Sequence, residues 1–339
     1  MSQSPASIAR RSVVQGAGGL AGILALGRAP AFAQAQPKKL VFAHINPKPE
    51  SAAIAFDWFA QEVTNQSKGE LVVEFYGSTL LAKELEIMNA VKSGNIAIGD
   101  PAGAVSTVFP EMGVFLVPYL VSSYDQAYRM FNGPIGDTLD RAFQEKYGVK
   151  ALCFFDYGFR HFWNSRRPIN EPRDLRGLKL RAQPSKLFAD TVNGLGGNAV
   201  PMPWAEVITA AQQGVIDGAD LPVVNMVPLK AYEVSKFFSM TAHNYSPTVN
   251  TMNLAAWNGL RPDQQALIKD LSMQAQQKIR DATESVDTLA QARTLLEPLG
   301  MKVNQADQAA FKRVAQEKVW PAYQKQYAAM WEQITATAA

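Results

Sequence analysis

Arg160 and Arg181 each follow a run of strand-forming residues, Cys153-Phe154-Phe155 before the first and Leu178-Lys179-Leu180 before the second. A guanidinium offers parallel N–H donors that match a carboxylate, and ligands of open α/β sheets collect beyond the carboxyl ends of strands. The chemistry these residues can do is capture of an organic anion. The chemistry of making and breaking bonds is missing. His44, His161 and His243 sit in separate segments without paired ligand spacing, so neither a catalytic metal nor another cofactor is expected. The sequence has no HExxH, GxSxG or GxxxxGK[ST] pattern. Gly194-Leu195-Gly196-Gly197 follows a helical segment rather than a strand, and reads as a loop instead of a phosphate cradle. Cys153 is the only cysteine, which excludes an internal disulfide and a thiolate-held cluster; between Leu152 and Phe154 it reads as inert core. The chain is not expected to be an enzyme.

Placing two arginines at strand ends requires a sheet. Leu40-Val41-Phe42-Ala43 reads as a first strand, and Ile54, Phe56, Phe59, Ala60 and Val63 recur at helical spacing after it. Leu71 to Tyr76 is a second strand. Glu84 to Lys92 is a helix capped by Gly94, and Ile96 to Gly99 is a third strand. That β-α-β-α-β alternation predicts an α/β lobe with a largely parallel sheet. Val149 to Phe155 is a further buried strand. A second α/β pattern runs from Leu178 through the helix Pro203–Gln213 to about residue 245. Beyond it, Pro262 and Asp263 open a helix whose apolar stripe runs from Leu267 to Leu289 and stops before Pro298. One long brace and two helices with a break both satisfy that stripe.

Composition agrees with two lobes. A chain of 339 residues exceeds the roughly 250–300 at which one core stops growing. Its 47% hydrophobic content excludes disordered and collagen-like readings. The formal charge of +3 is too small for a nucleic-acid footprint. It also belongs to the first 35 residues, which hold Arg10, Arg11 and Arg28 and no acid; +3 less these three charges leaves zero. Paired arginines, a glycine-diluted apolar run from Val13 to Leu26, and Ala31-Phe32-Ala33 make a cleaved export signal of twin-arginine type, with an ordinary Sec signal as the alternative. The chain that remains is expected in the periplasm without a membrane anchor of its own.

Residues 160–222 carry RHFWNSRRPINEPRDLRGLKLR and then GGNAVPMPWAEVITAAQQGVIDGADLP. These blocks resemble the DctP-type solute-binding proteins of tripartite ATP-independent periplasmic (TRAP) transporters, and the resemblance runs over nearly the whole exported chain. It implies an α/β, two-lobed periplasmic binding protein fold with one long C-terminal helix spanning both lobes. Lobe I would comprise 36–157 with about 247–285, and lobe II 158–246 with about 286–339. The partners implied are a small organic acid and a membrane permease pair.

Arg181 matches the family arginine that grips the ligand carboxylate, and Arg160 matches a second pocket arginine. Trp204 falls where the family often has a pocket Phe, and Glu84 where a residue often lines the first lobe's side. Asp220 takes the place of a usual Glu, and Leu221 replaces an Asn that commonly helps hold the ligand. Trp163 is a candidate second aromatic wall; His44, Asn46 and His243 are further candidates. An acid at 220 without an amide at 221 makes a poor host for a second carboxylate, because like charges repel in a desolvated site. The expected ligand is therefore a monocarboxylate, a 2-oxo, 2-hydroxy or aromatic acid. A C4-dicarboxylate, or a role as a receptor's sensing subunit, is the alternative.

Overall fold

The structure is a computed structural model that describes residues 36–81 and 83–337. The expected export signal lies outside the described residues. In β1 (Lys38–His44), Phe42 packs on α1 (Ser51–Gln66), with the Phe56 and Phe59 rings 5.1 and 6.2 Å from its own. β2 (Leu71–Gly77) and β3 (Ile98–Gly99) pair in parallel with β1 on its two sides, and α2 (Glu84–Ser93) links them. The expected alternation is present, with β3 shorter than the run Ile96–Gly99 read as strand.

Two much longer strands follow. β4 (Val149–Asn164) and β8 (Phe237–Asn253) are antiparallel partners. The C-terminal end of β8 pairs with β3 through Ile98 and Met252. The C-terminal end of β4 pairs with β7 (Gly218–Leu221), beside which β5 (Lys179–Ala182) and β6 (Asn198–Pro201) run parallel. β9 (Lys302–Gln305) adds to β8. The order is β2-β1-β3-β8-β4-β7-β5-β6, two parallel halves joined by two shared antiparallel strands. This is the two-lobed α/β architecture.

The strand read as Val149–Phe155 therefore continues to Asn164, and Arg160 lies inside it rather than beyond its end. Arg181 likewise lies within β5. β4 is irregular where it passes between the halves: its register with β8 shifts between Asp156 and Phe159 and again between Arg160 and Phe162. Gly158 sits in the first shift with φ +93, and a Cβ there would lie 2.6 Å from the Tyr124 hydroxyl. Only glycine fits that bulge without strain.

In the second half, α3 (Trp204–Gln212) follows β6. The C-terminal brace is α4 (Pro262–Val286), whose Ile268, Leu271, Ala275 and Ile279 pack with Phe42 and Phe155 in the first half's core. Its 25 residues span roughly 37 Å at about 1.5 Å each. Val286 at its end reaches the second half's core around Trp163, Val207 and Phe238.

The single helix to residue 297 does not exist. α4 ends at Val286 with Asp287 as its C-cap, and α5 (Leu289–Leu296) starts anew with Thr288 accepting from Gln291 N at 3.2 Å. Asp287 adopts a non-helical backbone, and its carboxylate accepts from the Tyr124 hydroxyl (2.5 Å), His161 Nε2 (2.7 Å) and Phe159 N (3.3 Å). The helix stops because Asp287, the residue just past its end, is tied to β4. Among the described residues, no helix is long and apolar enough to cross a membrane.

Candidate functional site

A cavity of about 250 Å³ opens where the parallel strands of both halves end. Asn46 follows β1, Gly103 follows β3 and Glu84 begins α2; opposite them are Arg181 in β5, Trp204 at the start of α3, and Leu221 at the end of β7. The position agrees with the rule that open α/β sheets bind at strand carboxyl ends.

The two arginines at this cavity differ. Arg160 is 4% exposed, and Asp220 closes it: Nε donates to Oδ2 at 2.7 Å, while Nη2 donates to Oδ1 at 2.9 Å and to the Asp220 carbonyl at 2.7 Å. Its Nη1 points to Ser246 Oγ at 3.4 Å. With the Gln183 amide assigned by its hydrogen bonds, its oxygen accepts from Nη1 at 3.2 Å and its nitrogen donates to the Gly103 carbonyl. A Cβ at Gly103 would lie 2.9 Å from this Gln183 amide and would push it off Arg160. Burial disfavours the Asp220 charge, but Arg160 and His243 outweigh it and hold the carboxyl far below the usual range.

Arg181 is 3% exposed, and its only hydrogen bond among the described residues is Nε to the Met202 carbonyl at 2.9 Å. Among the described residues, no carboxylate forms an ion pair with it. Burial, together with the like charge of Arg160, pushes its pKa down to about 10, against the pull of Asp220 and Glu84. The guanidinium carbon lies 5.7 Å from the Trp204 ring centre. A buried cation with free donors facing a cavity is a site for an anion.

Of the residues singled out from sequence, Arg181, Arg160, Trp204, Glu84, Leu221 and Asn46 line this cavity. The others fall elsewhere. Trp163 is fully buried in the second half's core beside Val207 and Phe238, so it packs instead of forming a cavity wall. Asp220 is turned to Arg160. His243 stacks on Phe162 with ring centres 4.0 Å apart, and bonds to Thr241 Oγ1 at 2.8 Å and Asp220 Oδ2 at 3.3 Å. Burial lowers its pKa despite Asp220, which leaves the ring neutral. His44 is buried between Asp100 (2.6 Å) and Glu50 (3.3 Å). Burial works against its charge, but the two acids overcome this and raise its pKa to about 10. Asp100 in turn accepts from Ala102 N at 3.0 Å, so His44 supports the cavity wall without touching it.

Sequence reasoning missed Asn225, Gln183, Tyr157 and Ser246, which also line the cavity. Asn225 is 3% exposed and, among the described residues, its amide has no protein partner; the same holds for the Asn46 amide. Asn225 follows Leu221 by four positions, so an amide absent at 221 returns on the next turn of chain. That Asn, inside Pro-Val-Val-Asn, was the available signal. The Tyr157 hydroxyl is buried with no partner among the described residues, and nothing in its strand context marks it.

Two α/β halves that share long strands, with an unpaired guanidinium in the cleft between their strand ends, define a solute-binding protein. Residues 42–329 match the family described as bacterial extracellular solute-binding protein, family 7 (DctP), and the chain belongs to that family. Its relatives are TRAP periplasmic solute-binding proteins. The 2,3-diketo-L-gulonate-binding periplasmic protein YiaO of Escherichia coli is 32% identical over 252 residues, covering 74% of this chain and 75% of its own. Solute-binding protein RD1_1052 of Roseobacter denitrificans is 29% identical over 306 residues, covering 90% and 93%. A TRAP solute-binding protein from Bordetella bronchispeptica, its density assigned to pantoate, superposes with a TM-score of 0.83 at 27% identity over 89% of this chain and 100% of its own. One from Polaromonas, bound to D-erythronate, gives 0.82 at 27% identity over 89% and 98%.

Proposed function

We propose that this protein captures an organic acid with a single carboxylate, flanked by a hydroxyl or oxo group, and hands it to the permease pair of a TRAP transporter. One observation carries the reading: Arg181 is buried without a carboxylate partner among the described residues, whereas Arg160 is closed by Asp220. A buried charge left unpaired costs roughly several kcal/mol, and a ligand carboxylate bound through two N–H donors relieves that cost. A second carboxylate would find Arg160 already neutralised and would meet Glu84. The remaining lining supports an uncharged body, with the Asn46 and Asn225 amides for oxygen atoms and Trp204, Leu221 and Leu229 for carbon. Pantoate, erythronate and 2,3-diketogulonate, the acids named for the relatives above, each carry one carboxylate with an oxygen on the next carbon. They support the same class here.

In this reading the lobes, 36–157 with about 247–285 and 158–246 with about 286–339, close around the acid. Residues 1–35 direct export to the periplasm, by the twin-arginine route or as a Sec signal.

A thermal-shift panel of pantoate, erythronate, lactate, succinate and malate tests the ligand class. Stabilisation is expected from the monocarboxylates, and stabilisation by succinate or malate alone overturns it. Arg181→Ala should fold and lose at least about a hundredfold in affinity, the scale of charge-assisted hydrogen bonds. Retained affinity removes the carboxylate clamp.

A further inference from the structure

The binding cavity does not end at Trp204. A second hollow of about 380 Å³ adjoins it, reaching Pro47, Ser78, Pro228 and Lys230. Ile45, Asn46, Glu84, Pro203, Trp204 and Leu229 line both spaces, so the boundary between them is built of these side chains. Trp204 is the largest of them. It is the first residue of α3, directly after Pro203, and its ring stands 5.7 Å from the Arg181 guanidinium carbon. Arg181 lines only the first space, so an acid whose carboxylate sits on it meets the indole before it can extend into the second.

We infer that Trp204, with Leu229 beside it, sets the upper length of the acid this protein takes, by separating an inner chamber that holds the head from an outer one that the tail does not reach. The inference rests on the carboxylate being held at Arg181. At about 250 Å³ the inner chamber is slightly below the roughly 300–1,000 Å³ typical of small-molecule sites, which suits a short acid. Pro203 fixes the backbone just before the indole, so the wall cannot retreat by a simple shift of the helix start. Removing the indole would join the chambers, with the apolar flank of Pro228 and Leu229 ready to cover a tail.

Calorimetric titration of 2-hydroxybutanoate, 2-hydroxyhexanoate and 2-hydroxyoctanoate changes length alone. A methylene that a pocket cannot accommodate costs about tenfold in affinity. The native protein should prefer the shorter acids and discriminate against the octanoate by at least about that factor. Trp204→Ala should recover about tenfold on the octanoate and lose affinity for the butanoate, with Trp204→Phe and Leu229→Ala between the two. Circular dichroism melts establish that each variant is folded. If folded Trp204→Ala and Leu229→Ala keep the native length ranking, the inference is wrong. Arg181→Ala separates the two ideas: binding lost there with an unchanged ranking in Trp204→Ala removes the length limit alone. Binding retained in Arg181→Ala, or no binding of the series by the native protein, removes the carboxylate reading and this inference with it.

Discussion

Asp220 decides what the second arginine can do. With both oxygens on the Arg160 guanidinium at 2.7 and 2.9 Å, it makes a bidentate pair in a site where both side chains are 4% exposed. Breaking such a pair from one side leaves a charge without compensation, at a cost of about 3–5 kcal/mol. Asp220→Asn should therefore lower stability by that order in chemical denaturation. It should also give the cavity a second unneutralised cation, so succinate or malate should stabilise the variant more than they stabilise the native protein. Equal shifts would mean that Arg160 does not reach the ligand even when released. The sequence indicated both arginines and the acid at 220, but not that the acid serves one of them. Spacing along the chain cannot report which of two cations a carboxylate faces across paired strands. Asp220 stands opposite Phe162 in the β4–β7 register, next but one to Arg160 on β4, so the pairing is a property of the register and of the shift at Arg160/Phe162.

At the scale of elements, the readable parts are those fixed by local pattern. α1 and α2 were legible from apolar spacing and from Gly94, which takes the left-handed cap with φ 79. β4 and β8 were not legible at full length, because Gly158 and Pro247 look like strand breaks in sequence. The structure absorbs Gly158 in a bulge and keeps Pro247 paired opposite Asp156. The C-terminal brace failed for a different reason. The apolar stripe crosses Asp287 without interruption, and what stops the helix is a long-range contact to β4. Two substitutions separate the causes. Thr288→Ala removes the hydrogen bond that starts α5 and should cost about 1 kcal/mol, as for other N-caps. Asp287→Ala strands the His161 ring nitrogen, the Tyr124 hydroxyl and the Phe159 amide together and should cost roughly 3 kcal/mol or more. Equal losses in urea denaturation would show that the break is a local capping event and not a tether to the strand.

For the molecule as a whole, charge balance determines how stability responds to pH. Residues 36–339 carry a formal charge of zero, so general self-repulsion among them is small near neutrality and individual buried groups dominate. Asp156, on β4 at the crossing between halves, is fully buried, and burial raises its pKa from 3.8 to about 7 although Tyr245, Arg280 and the Gly158 backbone favour its charge. Asp287 adds a like charge that pushes the same way as burial. A carboxyl whose folded pKa is raised stabilises the fold fully below 3.8, and that contribution is lost as pH rises through about 7. His44, raised from 6.5 to about 10 by Asp100 and Glu50 against burial, contributes fully below 6.5 and loses its contribution as pH rises through about 10. His243, with a lowered pKa, acts in the opposite direction below 6.5. The individual windows overlap, so a single native pH profile cannot assign them; a comparison with one isosteric variant can. Asp156→Asn mimics the protonated acid. Its melting temperature relative to the native protein should be nearly constant below pH 3.8, climb between pH 3.8 and about 7, and level off above that, as the native carboxyl is forced to ionise in the core. A difference that stays flat across that window would mean that Arg280 carries enough of the charge to keep Asp156 ionised throughout. Asp156 would then be a buried charge compensated at a distance by Arg280, and not a neutral acid.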